Sequence, residues 1–285
     1  MKASFTDYLK SSPFYILPHH AISGLIFFIA RIQWKPIKDF SLKVYLALHD
    51  VNMSEAVEEN PYAYPCLNAF FTRALKADAR PIDETDNSLC CPVDGRVSQA
   101  MPIKNGRVFQ AKNHDYSLLE LVGGIEELAA DFTNGNFATI YLSPRDYHRI
   151  HMPMDGTLTD MVYVPGRLFS VAPHTVNTVP RLFARNERLV CKFNTEHGPV
   201  IMILVGAVNV SAIDTVWAGS VTPPSKNKVI HTRYENVEIS LKKGAEMGRF
   251  NLGSTVVLLM PENCKLEDAI THDAPVKLGE LLATY

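Results

Sequence analysis

The sequence predicts an α+β fold in which a helical N-terminal region is followed by a β-rich catalytic domain. Two observations support this fold class. Apolar residues at helical spacing are concentrated in the first third of the 285-residue chain. Beyond about residue 80, short apolar runs rich in β-branched residues alternate with glycine and proline. We expect a helical, membrane-surface region at 1–60 and one domain at 61–285.

The N-terminal region contains one apolar and one amphipathic helical segment. Residues 21–30 are apolar apart from Ser23 and Gly24. This run is too short to cross a bilayer, which takes about 20 helical residues, and no signal-peptide cleavage site follows it. From Pro36 to Val51, apolar residues recur at helical spacing. Ordinary core helices are an equally good interpretation of this pattern alone.

The charge distribution favours contact of this region with an anionic surface. Residues 1–45 contain six basic and two acidic residues, a net charge of +4, so the remainder carries −6 of the total −2. Basic residues and Trp34 beside an apolar helix face are typical of helices that lie on a membrane. No basic–aromatic patch points to nucleic acid. The five cysteines, without a CxxC pair, predict neither a disulfide framework nor a zinc ribbon.

The remaining elements follow from periodicity and turn signals. A helix is predicted at 64–79, ending before Pro81, and another at 118–128. Asn105-Gly106 predicts a tight turn. The predicted strands are 96–100, 108–111, 137–142, 189–193, 200–210, 229–234 and 255–260.

Two histidines form the most reactive polar motif. His148 and His151 would share one face if their segment were helical, and histidine is the usual acid–base group near neutral pH. A metal site needs further ligands at suitable spacing, and the local sequence offers none. We therefore predict no metal, and a surface loop is the alternative interpretation of the motif.

Two other motifs have common structural explanations. Asp94 lies between proline and glycine beside a strand, where aspartate usually forms a turn. Ser254 follows Gly253 and precedes β-branched residues, as is common where strands begin. The segment lacks the Gly-x-Ser-x-Gly elbow, which disfavours a serine hydrolase.

Taken together, these motifs resemble the phosphatidylserine decarboxylases. Leu252-Gly253-Ser254-Thr255 resembles the cleavage motif of the bacterial and mitochondrial class of that family. Further motifs resemble the family in the same order, between about residues 60 and 260: Phe70-Phe71-Thr72-Arg73, Arg80-Pro81-Ile82, Pro92-Val93-Asp94-Gly95, Tyr116-Ser117-Leu118, 147–153, Tyr163-Val164-Pro165-Gly166, Leu168-Phe169-Ser170-Val171 and Asn186-Glu187-Arg188.

The resemblance implies a proenzyme that cuts itself between Gly253 and Ser254, giving a β chain of residues 1–253 and an α chain of residues 254–285. Ser254 would be the nucleophile, His151 its base, and Asp94 the group that orients the base. Ser254 would then become a pyruvoyl group, the covalent cofactor, which forms a Schiff base with the substrate amine and accepts electrons during decarboxylation.

The implied reaction converts phosphatidylserine to phosphatidylethanolamine and CO2. His148 would assist decarboxylation or reprotonation, and Phe169, Ser170 and Val171 would line the substrate pocket. The expected partners are phosphatidylserine in the bilayer and the membrane surface, with no nucleic acid. The two chains would stay associated, and a homodimer of that pair is left open. The expected location is the cytoplasmic face of a bacterial inner membrane, with peripheral attachment.

Two alternatives predict different observations. A pyruvoyl-dependent decarboxylase of a soluble amino acid would share the cofactor but would not need an apolar, basic N-terminal region. A non-catalytic membrane-surface protein would leave the chain uncut and would place no chemical demand on Ser254 or His151.

Overall fold

The structure is a computed structural model, which describes residues 3–208, 212–222 and 228–285. Three of the α-helices in these ranges lie in the first 50 residues, and the other α-helices are short and scattered through the body. The helices are α1 (Phe5–Ser11), α2 (His19–Ala30), α3 (Lys35–Leu48), α4 (Leu67–Phe71), α5 (Leu118–Leu121), α6 (Glu126–Ala130), α7 (Pro173–Val176) and α8 (Leu182–Arg185).

Strands make up most of the body. They are β1 (Ser88–Cys90), β2 (Gly95–Pro102), β3 (Arg107–Ala111), β4 (His114–Ser117), β5 (Asn136–Leu142), β6 (Arg149–His151), β7 (Gly156–Val164), β8 (Arg188–Thr195), β9 (Gly198–Val205), β10 (Ala212–Thr215), β11 (Gly219–Ser220), β12 (Ile230–Arg233), β13 (Ser240–Leu241), β14 (Glu246–Asn251), β15 (Ser254–Met260), β16 (Lys265–Leu266), β17 (Pro275–Val276) and β18 (Leu281–Thr284).

The main sheet has nine strands in the order β12-β7-β8-β9-β15-β5-β2-β17, and β13 also pairs with β7. Strand β15 lies in the interior of this sheet. It pairs antiparallel with β9 on one side and with β5 on the other, so that Val256 lies opposite both Leu204 and Ile140. All seven residues of β15 are buried. A strand covered on both faces has an unbroken apolar sequence, as β15 has after its first two residues.

Smaller sheets complete the body. One has the order β11-β10-β14-β6, another the order β1-β18-β16, and β3 pairs with β4. The chain passes from β14 in the four-stranded sheet to β15 in the main sheet through two residues, Leu252 and Gly253. Beyond β15, β17 pairs with β2 and β18 pairs with β1. The C-terminal segment is therefore built into the body at several places.

The N-terminal helices each contact the body. The hydroxyl of Thr178 donates to Ser11 Oγ at 2.7 Å, and the hydroxyl of Tyr45 donates to the Pro144 carbonyl at 2.5 Å. Ala30, at the end of α2, is buried with Phe71 and Leu252 of the body in a small apolar cluster that is separate from the main core. Part of each long N-terminal helix is thus fixed to the body.

The rest of this region leaves its apolar side chains in solvent. Of the nineteen large apolar side chains that are exposed within the described ranges, fifteen lie in the first 62 residues. Phe28, Trp34 and Phe40 are each about two-thirds exposed. No single helix in the described ranges is long and apolar enough to cross a membrane, whereas Phe5–Tyr15 and His19–Ala30, which meet at 84°, pass that test together as a bent pair.

The α+β class predicted from the sequence is confirmed, with a helical N-terminal region and a β-rich remainder. The helix predicted at 64–79 is wrong in extent, because only α4 forms there. Beyond α4 the backbone pairs with the segment before it: the Val57 N–H donates to Ala74 O, and the Lys76 N–H donates to Glu55 O. The segment 118–128 contains two short helices, since Gly123 and Gly124 both adopt left-handed conformations between them.

The predicted strands correspond to observed ones with shifted ends. The strand predicted at 200–210 ends at Val205, and residues 209 and 210 lie outside the described residues. The turn at Asn105-Gly106 is confirmed, with both residues left-handed. The other strands were not predicted, and among them β6 and β14 carry the chain through the candidate site.

Candidate active site

The connection between β14 and β15 has an unusual backbone. Leu252 has φ +83° and Gly253 has φ +49°, so two consecutive residues lie in the left-handed region. Glycine adopts this conformation readily, whereas leucine is strained in it. A Cβ atom at position 253 would have no neighbour within 4 Å, so glycine is favoured here by the backbone conformation and not by lack of space. Strain of this kind is concentrated at functional sites.

Ser254 follows this strained pair directly as the first residue of β15. It pairs with Leu142 of β5, and its side chain is completely buried. Its hydroxyl has no hydrogen-bond partner, although an unmade hydrogen bond of a buried polar group is costly. Backbone pairing with β5 fixes the position of Ser254, while its Oγ makes no hydrogen bond.

A contact path connects this serine to His148. Leu252 packs in the small apolar cluster with Ala30 and Phe71. The ring of Phe71 contacts the ring of His148, with their centroids 4.1 Å apart. In addition, the Phe250 N–H donates to the His148 carbonyl at 3.0 Å. The N-terminal helix α2 therefore contributes to the wall of the candidate site.

His148 is a neutral base in this environment. Its side chain is fully buried, and burial lowers its pKa to about 3. Its Nδ1 lies 2.9 Å from the Asp146 carbonyl, which can only accept, so Nδ1 carries the proton. The Nε2 atom then has a free lone pair, and it has no hydrogen-bond partner. Like the Ser254 hydroxyl, it is available for chemistry.

His151 is also neutral but has partners on both nitrogens. Its Nδ1 lies 2.7 Å from the Gly244 carbonyl and therefore donates, so its Nε2 accepts from the Tyr147 hydroxyl at 3.1 Å. Burial lowers the pKa of His151, and burial also raises the pKa of Tyr147 to about 12. In the uncut chain the base nitrogen of His151 is thus held by a phenol.

The carboxylate of Asp94 is buried in an ion pair. It accepts from Arg80 Nε at 2.9 and 3.1 Å and from the Leu278 N–H at 2.9 Å. Asp94 and Glu55 together raise the pKa of Arg80. The His151 N–H donates to the Pro92 carbonyl at 3.0 Å, which brings this histidine beside the turn that holds Asp94.

The three residues of the predicted triad therefore lie on adjoining segments without triad hydrogen bonds. Among the described residues, no hydrogen bond joins Asp94 to His151 or His151 to Ser254. The segment with the two histidines is not helical, since His148 ends a loop and His151 ends β6. Strand β6 pairs with β14, which leads to Ser254.

The segment predicted to line the pocket is held by a buried asparagine. The Phe169 N–H donates to Asn186 Oδ1 at 3.1 Å, and Asn186 Nδ2 donates to the carbonyls of Phe169 and Gly206 at 2.9 Å each. Ser170 Oγ accepts from a neighbouring backbone N–H. Val171 lines a cavity of about 550 Å³.

Asn186 and Tyr147 both lie in motifs that resemble the family, but no role was predicted for either. The only signal that could have singled them out was the presence of polar groups in those motifs. Within the described ranges, no group of three or more His, Cys, Asp or Glu side chains is arranged to hold a metal ion.

Comparison with known proteins accounts for nearly the whole chain. The family model described as phosphatidylserine decarboxylase matches residues 67–284, and a second model, described as PSD, matches residues 9–44. The first model reaches beyond the motifs quoted above, to the end of β18. The second covers most of the N-terminal helical region, where no family motif was found in the sequence.

Curated relatives match at similar length. The phosphatidylserine decarboxylase proenzyme of Alkalilimnicola ehrlichii is 52% identical over 278 residues, covering 97% of this chain and 96% of that protein. That of Pseudomonas entomophila is 54% identical over 273 residues, covering 94% and 95%. That of Bordetella pertussis is 52% identical over 283 residues, covering 98% and 95%. The motifs, the fold and these matches agree, and the chain belongs to the phosphatidylserine decarboxylase family.

Proposed function

We propose that this chain is a proenzyme that cuts itself between Gly253 and Ser254 and then decarboxylates phosphatidylserine to phosphatidylethanolamine and CO2. The observation that carries this proposal is the Ser254 hydroxyl, which is buried, has no partner and follows two left-handed residues. Self-cleavage needs a serine hydroxyl that is free to attack the carbonyl of the residue before it. The hydroxyl of Ser254 has no partner, and the carbonyl before it belongs to a glycine in the left-handed region.

The proposed cleavage uses only groups of the chain and one water molecule. Ser254 Oγ attacks the Gly253 carbonyl while His151 takes the hydroxyl proton, and the C–N bond breaks as His151 passes that proton to the Ser254 nitrogen, which leaves an ester and a free amine. Loss of the Ser254 α proton expels the Gly253 carboxylate and leaves a dehydroalanine. Hydrolysis of its imine form releases ammonia and gives the pyruvoyl group.

The environment of His151 supports its role as the base. Burial holds the ring neutral, so its Nε2 can accept a proton near neutral pH. Asp94 is proposed to orient this base, and its charge favours the protonated ring. The hydroxyl of Tyr147 must release His151 Nε2 before the proton of Ser254 can be taken.

The pyruvoyl group supplies a ketone that binds the substrate amine and withdraws electrons as CO2 leaves. His148 is proposed to move the proton that replaces CO2, which its free Nε2 and neutral ring support. Phe169, Ser170 and Val171 are proposed to bound the substrate pocket. The rigid hold of Asn186 on Phe169 supports a fixed pocket wall.

The two chains are proposed to remain associated after cleavage, because residues 254–285 contain interior strand β15 together with β17 and β18. Intact mass measurement of purified protein tests the proposal. We expect two chains, of residues 1–253 and 254–285, with an N-terminus on the shorter chain that resists Edman degradation.

Borohydride added with phosphatidylserine should attach the lipid amine to the 32-residue chain. Attachment to the longer chain, or an active enzyme that remains one uncut chain, would contradict the mechanism. Release of CO2 from free serine as fast as from the lipid would instead favour the alternative soluble substrate.

We further propose that the enzyme is attached peripherally to the cytoplasmic face of a bacterial inner membrane through its first 60 residues. The exposed apolar side chains and the net charge of +4 over residues 1–45 support this location. Deleting the region is a poor test, because Ala30 of α2 packs beside Leu252.

Point variants of exposed residues avoid that difficulty. Phe28→Asp combined with Phe40→Asp should weaken co-sedimentation with phosphatidylglycerol vesicles while leaving self-cleavage intact, since both side chains are about two-thirds exposed. Val237→Asp, at a site 60% exposed in the body, is the matched control. Added salt should weaken binding of the unaltered protein. Unaltered protein that binds no vesicle, or equal loss in the control, would refute this location.

A further inference from the structure

A polar cleft of about 600 Å³ lies beside the candidate site. Leu48 and His49, where α3 ends, line this cleft, and Leu48 is 72% exposed among the apolar side chains proposed to meet the membrane. Ser143 and Tyr147 also line the cleft. Ser143 follows Leu142, the partner of Ser254, and Tyr147 contacts His151. Residues of the exposed N-terminal surface and residues next to the reacting groups thus line the same cleft.

The charges lining this cleft do not cancel pairwise. The cations are Arg73, Arg80, Arg96, Arg145 and Lys277, and the carboxylates are Asp50, Glu55, Asp94 and Asp146. Arg80 pairs with Glu55 and Asp94, and Arg96 pairs with Asp273 outside the cleft.

Three cations remain without a close carboxylate. One oxygen of Asp146 accepts from the Ser143 N–H and hydroxyl, and the other lies 3.9 Å from Arg145 Nε, beyond hydrogen-bond distance. Among the described residues, Arg73, Arg145 and Lys277 have no carboxylate oxygen at hydrogen-bond distance. With Arg96 paired outside the cleft, the remaining four cations face four carboxylates, so the cleft is close to neutral, and these three side chains differ from Arg80 in having no close ion pair.

Arg73 is the most unusual of the three because it is buried. Its residue is 4% exposed, and burial lowers its pKa. Its Nη2 donates to the Arg145 carbonyl at 3.1 Å, while its Nε is buried and has no acceptor. A buried guanidinium with an unsatisfied N–H is costly unless an anion completes its hydrogen bonds. The planar donor set of arginine suits an anion with several oxygens, such as a phosphate group.

We propose that Arg73, Arg145 and Lys277 bind the phosphodiester of a lipid headgroup in this cleft. The proposal rests on the proposed function, in which phosphatidylserine is the substrate. In that lipid only a few bonds separate the phosphate from the reacting amine, so an anion site adjoining the reaction centre fits one headgroup. The phosphodiester can come from the substrate itself or from a neighbouring anionic lipid, and the experiment separates these sources.

The test replaces two exposed cations, because their loss should not prevent folding and the measured KM then reports on binding. Arg145→Gln combined with Lys277→Gln should raise the KM for phosphatidylserine in uncharged detergent micelles about tenfold, equivalent to one or two charge-assisted contacts. The kcat should stay within about twofold, because a phosphate contact made equally in ground and transition states affects KM alone. Arg73→Gln should have the larger effect if it still self-cleaves.

Lys242→Gln is the matched control, since this lysine is exposed and pairs with Asp155 outside the cleft. An effect in uncharged micelles assigns the site to the substrate's own phosphodiester. An effect seen only when phosphatidylglycerol is added assigns it to a neighbouring lipid.

An unchanged KM in both lipid systems, or an equal change in Lys242→Gln, would overturn the inference. Such a result in variants that cut themselves and release CO2 would leave the proposed function standing. Failure of the unaltered protein to cut or to release CO2 would count against the proposed function instead.

Discussion

Ser254→Ala should yield a single chain of 285 residues with no decarboxylase activity, because both the nucleophile and the precursor of the cofactor are lost. Denaturing electrophoresis and mass spectrometry of the purified variant measure the first effect. Release of CO2 from phosphatidylserine measures the second. A two-chain pattern in this variant would show that another residue performs the attack.

Thr255→Val is a stringent control for that experiment. Thr255 is the next residue of β15, is also fully buried, and its hydroxyl also has no hydrogen-bond partner. If a buried hydroxyl at the start of β15 were needed only for packing, both variants would behave alike. We expect Thr255→Val to cut itself and remain active, whereas a block in both variants would point to a disturbed strand rather than lost chemistry.

His151→Ala and Asp94→Asn should block self-cleavage, and His148→Ala should cut at least partly but decarboxylate poorly. Loss of a triad member commonly lowers a rate by about three orders of magnitude or more. The time course of two-chain formation measures the first step, and CO2 release per mole of cut enzyme measures the second. Keeping the two measurements apart assigns each histidine to one step.

The structure also offers a physical reason why the roles of the two histidines could be exchanged. Of the two histidines, His148 is the one whose base nitrogen has no partner, whereas His151 Nε2 is held by Tyr147. If His148→Ala blocks cleavage and His151→Ala cuts normally, the two roles are exchanged. Tyr147→Phe adds a further check, because releasing His151 Nε2 should speed cleavage if His151 is the base.

Asp94→Asn needs its own control because Asp94 also neutralises Arg80. Breaking a buried ion pair by removing one partner can cost about 3–5 kcal/mol of stability. Glu55→Gln removes the other carboxylate of Arg80 and leaves Asp94 unchanged. We expect Glu55→Gln to cut normally, so loss of cleavage in both variants, with matching loss of thermal stability, would reassign Asp94 to a structural role.

The sequence predicted the fold class and the reactive motifs but not how they meet. Ser254, His148 and Asp94 could be predicted as site residues because each is a reactive residue type within a motif that resembles the family. Strand β14 could not be predicted, since it contains Gly248 and charged residues and its conformation comes from pairing with β6 and β10. The packing of Ala30 beside Leu252 joins residues more than 200 positions apart, which no local pattern reports.

The interior position of β15 bears on whether folding or self-cleavage comes first. Without residues 254–285, strands β5 and β9 would each present an open edge, and open edges of this kind favour aggregation. A short piece released before the sheet formed would leave both edges open, so we expect cutting to follow folding, and each molecule can mature once. If heat separates the two pieces, cooling would have to reunite two different chains, so we expect thermal inactivation of the mature enzyme to be permanent.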